Sequence, residues 1–241
     1  MRELKLEQYS GIVFDLDGTL VHKEPKLEDF IQQSFEQRGL VIDSEQSKEA
    51  QRLSLKFWED PVNYNNDPTN HDRSKGTEFW VNFIQYYCQS LDISFHEIAD
   101  IAVEIAEIIE VNERSEYLAE DTRDVLTTLL ARGYKLGVLS NRYSPVADVV
   151  QYYNLSEYIS CSYSAGQLGA MKPDARIFHL YLEEFGKRPD EIVYVGDNYW
   201  VDIKGAENAK IQPILIDPRT LFPEATCPVI KVLSDLLPIL N

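Results

Sequence analysis

The stretch Ile12-Val13-Phe14-Asp15-Leu16-Asp17-Gly18-Thr19 sets two carboxylates two positions apart directly behind a short apolar run. Such a run reads as a buried strand that delivers both acids to its carboxyl end. In open parallel α/β sheets that end is where ligands bind. Side chains alternate along a strand, but the chain can turn at Gly18, so both acids reach one pocket if the strand stops there. Two crowded carboxylates repel unless a cation lies between them or one takes a proton. Asp-Gly is also ordinary turn chemistry, so the stretch takes its meaning from the rest of the chain.

Three later segments share its form. Tyr134 to Leu139 is a second strand-like run, ending in Ser140-Asn141, a hydroxyl and an amide suited to holding an anion. Lys172-Pro173-Asp174 stands at a loop-to-helix boundary. Ile192 to Val195 is a third buried strand, ending in Gly196-Asp197 with Asp202 five residues beyond.

This ordered set resembles the four motifs of the haloacid dehalogenase superfamily, written DxDGT, Ser/Thr, Lys and GDxxxxD, all intact here. The resemblance covers about residues 9–22 and 118–241. It implies a Rossmann-like α/β fold, a parallel sheet with helices on both faces, and an inserted all-helical cap that closes over the active site and selects the substrate. A lid of that kind excludes water and completes a pocket.

The resemblance also assigns roles. Asp15 is expected to be the nucleophile, accepting a phosphoryl group and later losing it to water. Asp17 is expected to be the general acid and base. The dehalogenases of the superfamily lack an aspartate at that second position and use no metal, so Asp17 favours phosphoryl transfer. Mg²⁺ prefers oxygen ligands and commonly binds through one or two carboxylates plus substrate phosphate. Asp15 and Asp197 fit as direct ligands, with the Asp17 main-chain carbonyl a third. Asp202 is a weaker candidate, acting through water, orienting the site, or simply favoured by a helix dipole. Ser140 and Asn141 are expected to be donors to the phosphate, with the Ser140 hydroxyl and nearby main-chain amides aimed at it, and Lys172 to supply positive charge, since charge in such transfers spreads over the outer oxygens.

Neighbouring residues admit two readings each. His22 touches substrate or is a partly exposed loop histidine; a family member often has an acid there. Arg142 binds a substrate carboxylate or second phosphate, or forms a surface ion pair. Tyr199 and Trp200 suit packing better than stacking on substrate. His71, Arg73 and Lys75 are possible cap contacts.

Along the chain, residues 118–241 alternate as βα units, with helices expected over Asp121–Arg132, Pro145–Tyr153, Asp174–Phe185 and Val201–Ala209. Strands are expected over Lys135–Leu139, Ile159–Tyr163, Ile192–Val195 and Pro213–Ile216, a pattern that predicts a covered parallel sheet. Residues 23–117 instead carry apolar residues at helical spacing, the longest stripe being Ile98, Ile101, Ala102, Ile105, Ile108 and Ile109. Pro61 to Gly76 is polar and turn-rich, as expected of a loop. The division expected is therefore a catalytic core of residues 1–22 and 118–241 and a helical cap of residues 23–117.

The 241 residues can bury a sizeable core without disulfides. Cys88, Cys161 and Cys227 are odd in number and widely spaced, and read as reduced thiols. No signal peptide or membrane-spanning run stands out, which makes a soluble, cytoplasmic protein the simplest expectation. A net charge of -17 argues against a nucleic-acid backbone as partner. An anionic small molecule then needs local positive charge, which Lys172 and a bound metal would supply. The activity expected is a Mg²⁺-dependent phosphatase acting on a small phosphate ester such as phosphoglycolate, a sugar phosphate or a nucleoside monophosphate. The alternatives are a phosphomutase and a non-catalytic binding or regulatory protein on the same fold. Nothing in the sequence favours a homodimer over a monomer.

Overall fold

The computed structural model describes residues 8–59, 77–112 and 114–240. The chain divides into two compact units, one of residues 1–22 and 117–241 and one of residues 23–116. The first is built on six parallel strands: β1 (Gly11–Phe14), β4 (Lys135–Ser140), β5 (Ile159–Ser164), β6 (Ile192–Gly196), β7 (Gln212–Ile216) and β8 (Val229–Ile230). Their order is β5-β4-β1-β6-β7-β8, so β1 lies inside the sheet with β4 and β6 as neighbours.

The strands are apolar on both sides because both faces are covered. Ile12 and Phe14 of β1, Leu136 and Val138 of β4, and Val193 and Val195 of β6 share one core with Val125, Leu126 and Leu129 of α5 (Thr122–Ala131). Val13, Leu139, Ile192 and Tyr194 point the other way, into a second core with Ile177, Phe178, Tyr181 and Phe185 of α8 (Ala175–Phe185). Helix α8 begins where the Asp174 carboxylate accepts the Arg176 main-chain N–H, and ends at Gly186, whose φ of 68° suits a residue without Cβ.

The expected helix over Val201–Ala209 starts earlier. Asn198 accepts the N–H groups of Trp200 and Val201, and a wide turn over Tyr199–Ile203 leads into α9 (Lys204–Asn208). Strand β8 is too short to show any alternation in sequence; it exists because its chain lies beside the β7 ladder.

Among the described residues the second unit holds four helices, α1 (Leu27–Gln37), α2 (Ser44–Phe57), α3 (Thr77–Cys88) and α4 (Phe95–Val111). Their apolar stripes meet in one core, which includes Ile101, Ala102 and Ile105 of α4. Phe57 lies at its aromatic centre, edge-on to Phe79, Phe83 and Tyr86 with ring centroids at 5.7, 5.2 and 5.5 Å. The unit is not wholly helical. Strands β2 (Val21–Glu24) and β3 (Ser115–Leu118) pair as a separate ribbon, and the boundary between the units falls within each of them. Lys23, Glu24, Ser115 and Glu116 are thus strand residues of the second unit, and Tyr117, also in β3, belongs to the first. These four-residue strands carry charged side chains and no apolar alternation, so nothing in the sequence marked them. The expected loop of Pro61 to Gly76, with His71, Arg73 and Lys75, lies outside the described residues. No helix among the described residues is long and apolar enough to cross a membrane.

Replacing Phe57 by Ala is expected to lower stability by about 3–5 kcal/mol, because the aromatic core cannot close over so large a hole. Urea unfolding of the variant beside wild type measures this, and a loss below about 1 kcal/mol would contradict the packing described.

Candidate active site

The carboxyl ends of β1, β4 and β6 gather the polar residues of the first unit. Asp15 continues the β1 ladder by one hydrogen bond, its N–H donating to Val195 O at 2.8 Å. The chain then turns through Gly18 (φ 84°), where a Cβ would lie 2.3 Å from Asp197 Oδ2. At the end of β6 a Cβ on Gly196 would lie 2.4 Å from the Asp202 carboxyl carbon. Both glycines are therefore the space in which the two later acids approach the backbone.

Lys172 lies at the centre, its side chain 2% exposed. Its Nζ donates to Asp15 Oδ1 at 2.6 Å, Asp202 Oδ1 at 2.7 Å and the Tyr194 hydroxyl at 2.9 Å. All three ammonium hydrogens are thereby used. Lys172 thus has charge to offer a ligand and no spare donor. Tyr194, reaching across from β6, donates in turn to Leu139 O at 3.0 Å. Asp202 also accepts the Asn198 N–H on Oδ2 at 3.0 Å. It is a buried partner of Lys172, and the capping of the following turn falls to Asn198.

The Asn141 side chain pairs with the backbone of Lys172. Its side-chain amide donates to Lys172 O at 2.9 Å and its Oδ1 accepts the Lys172 N–H at 2.8 Å. The amide clamps the Lys172 backbone with one of its two N–H hydrogens, which makes the side chain a positioning group. Ser140 is buried and its Oγ accepts the Arg142 N–H at 3.1 Å, so its own hydrogen remains for a ligand. Asp17 does not join Asp15: its carboxylate is held by Arg142, Nε to Oδ2 at 2.8 Å and Nη2 to Oδ1 at 2.6 Å. His22 lies on β2 with its ring 5.6 Å from that of Tyr117. Tyr199 stacks on Phe222 at 4.8 Å, with Trp200 edge-on to both, so the pair packs as expected.

The family model for haloacid dehalogenase-like hydrolases matches residues 9–210. The chain belongs to that family. It is 32% identical over 124 residues to a phosphoserine phosphatase of Thermus thermophilus, a match covering 51% of this chain and 49% of that protein. A phosphoglycolate phosphatase of Salmonella typhi is 23% identical over 227 residues, covering 85% of this chain and 80% of the relative. Several curated relatives are matched over about half of their length or less. Among solved structures, a phosphatase of the same superfamily from Thermococcus onnurineus superposes with a TM-score of 0.58 at 23% identity, over 96% of this chain and 98% of that one, a likeness of fold.

In this haloacid dehalogenase-like site the acids are crowded. Oxygen atoms of Asp15, Asp197 and Asp202 all lie within 4.8 Å of one another. Burial raises the Asp15 carboxyl to about 7; Lys172 opposes the rise, while the charges of Asp202 and Asp17 add to it. Asp197 is pushed well above the usual range by burial, then by Asp202 and Asp15. For Lys172, burial works against the charge, but Asp15 and Asp202 more than offset it and hold the ammonium well above the usual lysine range. One buried cation thus serves more acids than it can neutralise, and the surplus oxygen donors suit a hard divalent cation.

Asp15 ionises above its ordinary value in the folded state, so its contribution to stability is complete below about pH 4 and is lost as pH rises through about 7. Lys172→Met removes the counter-charge. The variant is expected to lose about 3–5 kcal/mol near pH 8, and clearly less near pH 5, where the acids take up protons. Urea unfolding at both pH values measures the difference; an equal loss at each would show that charge is not what Lys172 contributes.

Proposed function

We propose that the protein is a Mg²⁺-dependent phosphatase that hydrolyses a small phosphorylated metabolite through an aspartyl-phosphate on Asp15. The observation that carries this reading is the pairing of Asp15 with the buried Lys172 in a cluster that also holds Asp197 and Asp202. Lys172 engages Asp15 through Oδ1, and Oδ2 makes no hydrogen bond among the described residues, so it is the oxygen available to attack phosphorus.

In the first step an Asp15 oxygen bonds to phosphorus while the bond to the leaving oxygen breaks, and Asp17 gives that oxygen a proton. In the second, water attacks the phosphoryl group, Asp17 takes a proton from it, the acyl phosphate bond breaks and Asp15 is regenerated. The Ser140 hydroxyl donates to a phosphoryl oxygen, and Lys172, held by Asn141, Tyr194 and Asp202, supplies positive charge. Asp15 and Asp197 would hold a divalent cation, with the Asp17 main-chain carbonyl; Asp202, with both oxygens engaged, acts by holding Lys172. Such a cation, when bound, neutralises charge on the phosphoryl oxygens.

The phosphoserine and phosphoglycolate phosphatases among the relatives support a small phosphate monoester as substrate. The helical unit, none of whose described residues belongs to the acidic cluster, is in this reading the cap that excludes water and selects among esters.

Phosphate release from a panel of small esters is expected to require Mg²⁺ and to fall at least about 1,000-fold in Asp15→Asn. Transfer of the phosphoryl group to another hydroxyl, with no release to water, would make the protein a mutase. Independently of turnover, Mg²⁺ is expected to raise the thermal midpoint, more near pH 8 than near pH 5, and Asp197→Asn to abolish that rise. A metal-independent midpoint would remove the proposed role of Asp197.

A further inference from the structure

The strand run Ile192-Val193-Tyr194-Val195 is apolar except for one phenolic oxygen. A hydroxyl in a covered strand costs free energy unless it is hydrogen-bonded. Tyr194 is fully buried in the core shared with α8, where Phe178 meets its ring edge-on at 5.2 Å. Phe178 is itself hemmed in, since a Cβ on Gly205 would lie 2.7 Å from its Cε2. Packing therefore sets the place of the Tyr194 hydroxyl.

That hydroxyl is used on both sides. It accepts the third hydrogen of Lys172 at 2.9 Å and donates its own to Leu139 O at 3.0 Å, with Asp202 Oδ1 a longer 3.3 Å away. Burial holds the phenol well above the usual tyrosine range, against the pull of Lys172, so the hydrogen stays on the oxygen. Leu139 directly precedes Ser140 on β4, Tyr194 stands on β6, and β1 runs between them. One hydroxyl thus ties the ammonium to the strand end that presents Ser140, across the strand that leads into Asp15.

The other two partners of Lys172, Asp15 Oδ1 at 2.6 Å and Asp202 Oδ1 at 2.7 Å, are carboxylates. An ammonium is a compact charge with rotatable donors, and two carboxylates alone attract it without fixing it. Nothing then keeps it from straddling both oxygens of Asp15. A neutral acceptor at a third corner gives the charge a fixed place and adds no further acid to a crowded site.

We propose that Tyr194 is a positioning residue for the attack on phosphorus: it fixes Lys172 on Asp15 Oδ1, so that Oδ2 stays open toward the ester. The inference rests on the phosphatase reading for the attack itself. Tyr194 has no exposed surface and acts through Lys172. Without its hydroxyl the ammonium draws on both Asp15 oxygens, which slows the first step and leaves ester binding as it was.

Tyr194→Phe removes one oxygen and keeps the ring. With urea unfolding to establish that the variant is folded, kcat/KM for Mg²⁺-dependent ester hydrolysis is expected to fall about 10- to 100-fold. The inhibition constant of methylphosphonate, whose carbon–phosphorus bond is not hydrolysed, is expected to stay within about threefold. A purely structural role would lower stability and leave turnover of the folded enzyme unchanged. Urea unfolding of Tyr194→Phe, Lys172→Met and the double variant reads the same contact without substrate, near pH 5, where Lys172→Met loses least. Tyr194→Phe is expected to lower the folding equilibrium constant at least about 10-fold more in wild type than in the Lys172→Met background. An unchanged kcat/KM, a weakening of methylphosphonate that matches the whole loss, or stabilities that add to within about twofold would overturn the proposal. Hydrolysis that Tyr194→Phe leaves untouched would remove the role of Tyr194 and keep the phosphatase reading. If wild type hydrolyses no ester, the phosphatase reading falls and the positioning role falls with it.

Discussion

A lysine ammonium buried between two aspartates is the constraint around which the rest of the sheet unit is arranged. Taking such charges out of water costs several kcal/mol each unless geometry and hydrogen bonding compensate. Compensation here draws on four segments: Asp15 from the end of β1, Tyr194 from β6, Asp202 from the turn beyond β6, and Asn141, which holds the Lys172 backbone from the end of β4. Each segment has a fixed place in the sheet, so the cluster is as rigid as the strands that carry it. The two glycines at the strand ends belong to the same constraint, since a methyl group at either would collide with the carboxylates of Asp197 or Asp202.

The arrangement leaves an electrostatic imbalance, and the chemistry comes from it. Lys172 is saturated by its partners, and burial holds the carboxyls of Asp15 and Asp197 well above the ordinary carboxylate range despite its charge. A site with excess anionic oxygen, one saturated ammonium and a buried hydroxyl on Ser140 is suited to a divalent cation and a phosphoryl group together. Asp17 stands apart, its carboxylate set against Arg142 and more exposed than the rest. The two acids of a single motif thus differ in burial and in partner, which is how neighbouring carboxylates come to do different work.

The strands β1, β4 and β6 were legible because each is an apolar run ended by a small or acidic residue, and the helices of both units because their apolar positions recur at helical spacing. The ribbon of β2 and β3 and the two-residue β8 were not. Their residues are charged or too few for a pattern, and their form depends on the strand that happens to lie alongside. Asn141 shows the same limit within the site. Its motif position suggested contact with phosphate, while the pairing of its side chain with the backbone of Lys172, 31 residues away, left no local trace. Asp202 lies so close to Lys172 only because the turn begun by Asn198 folds it back over the end of β6.

What the sequence determined by itself was the order of its motifs and their placement at strand ends, because burial and chain reversal act over a few residues and leave a local trace. Which acid pairs with which base was decided by the tertiary structure alone. Asp17 and Arg142 are 125 residues apart, and Asp15 and Lys172 are 157. Only the stacking of parallel strands around β1 brings such residues within hydrogen-bonding distance, and hydrogen bonds over that range depend on the positions of whole elements and leave no periodicity to read.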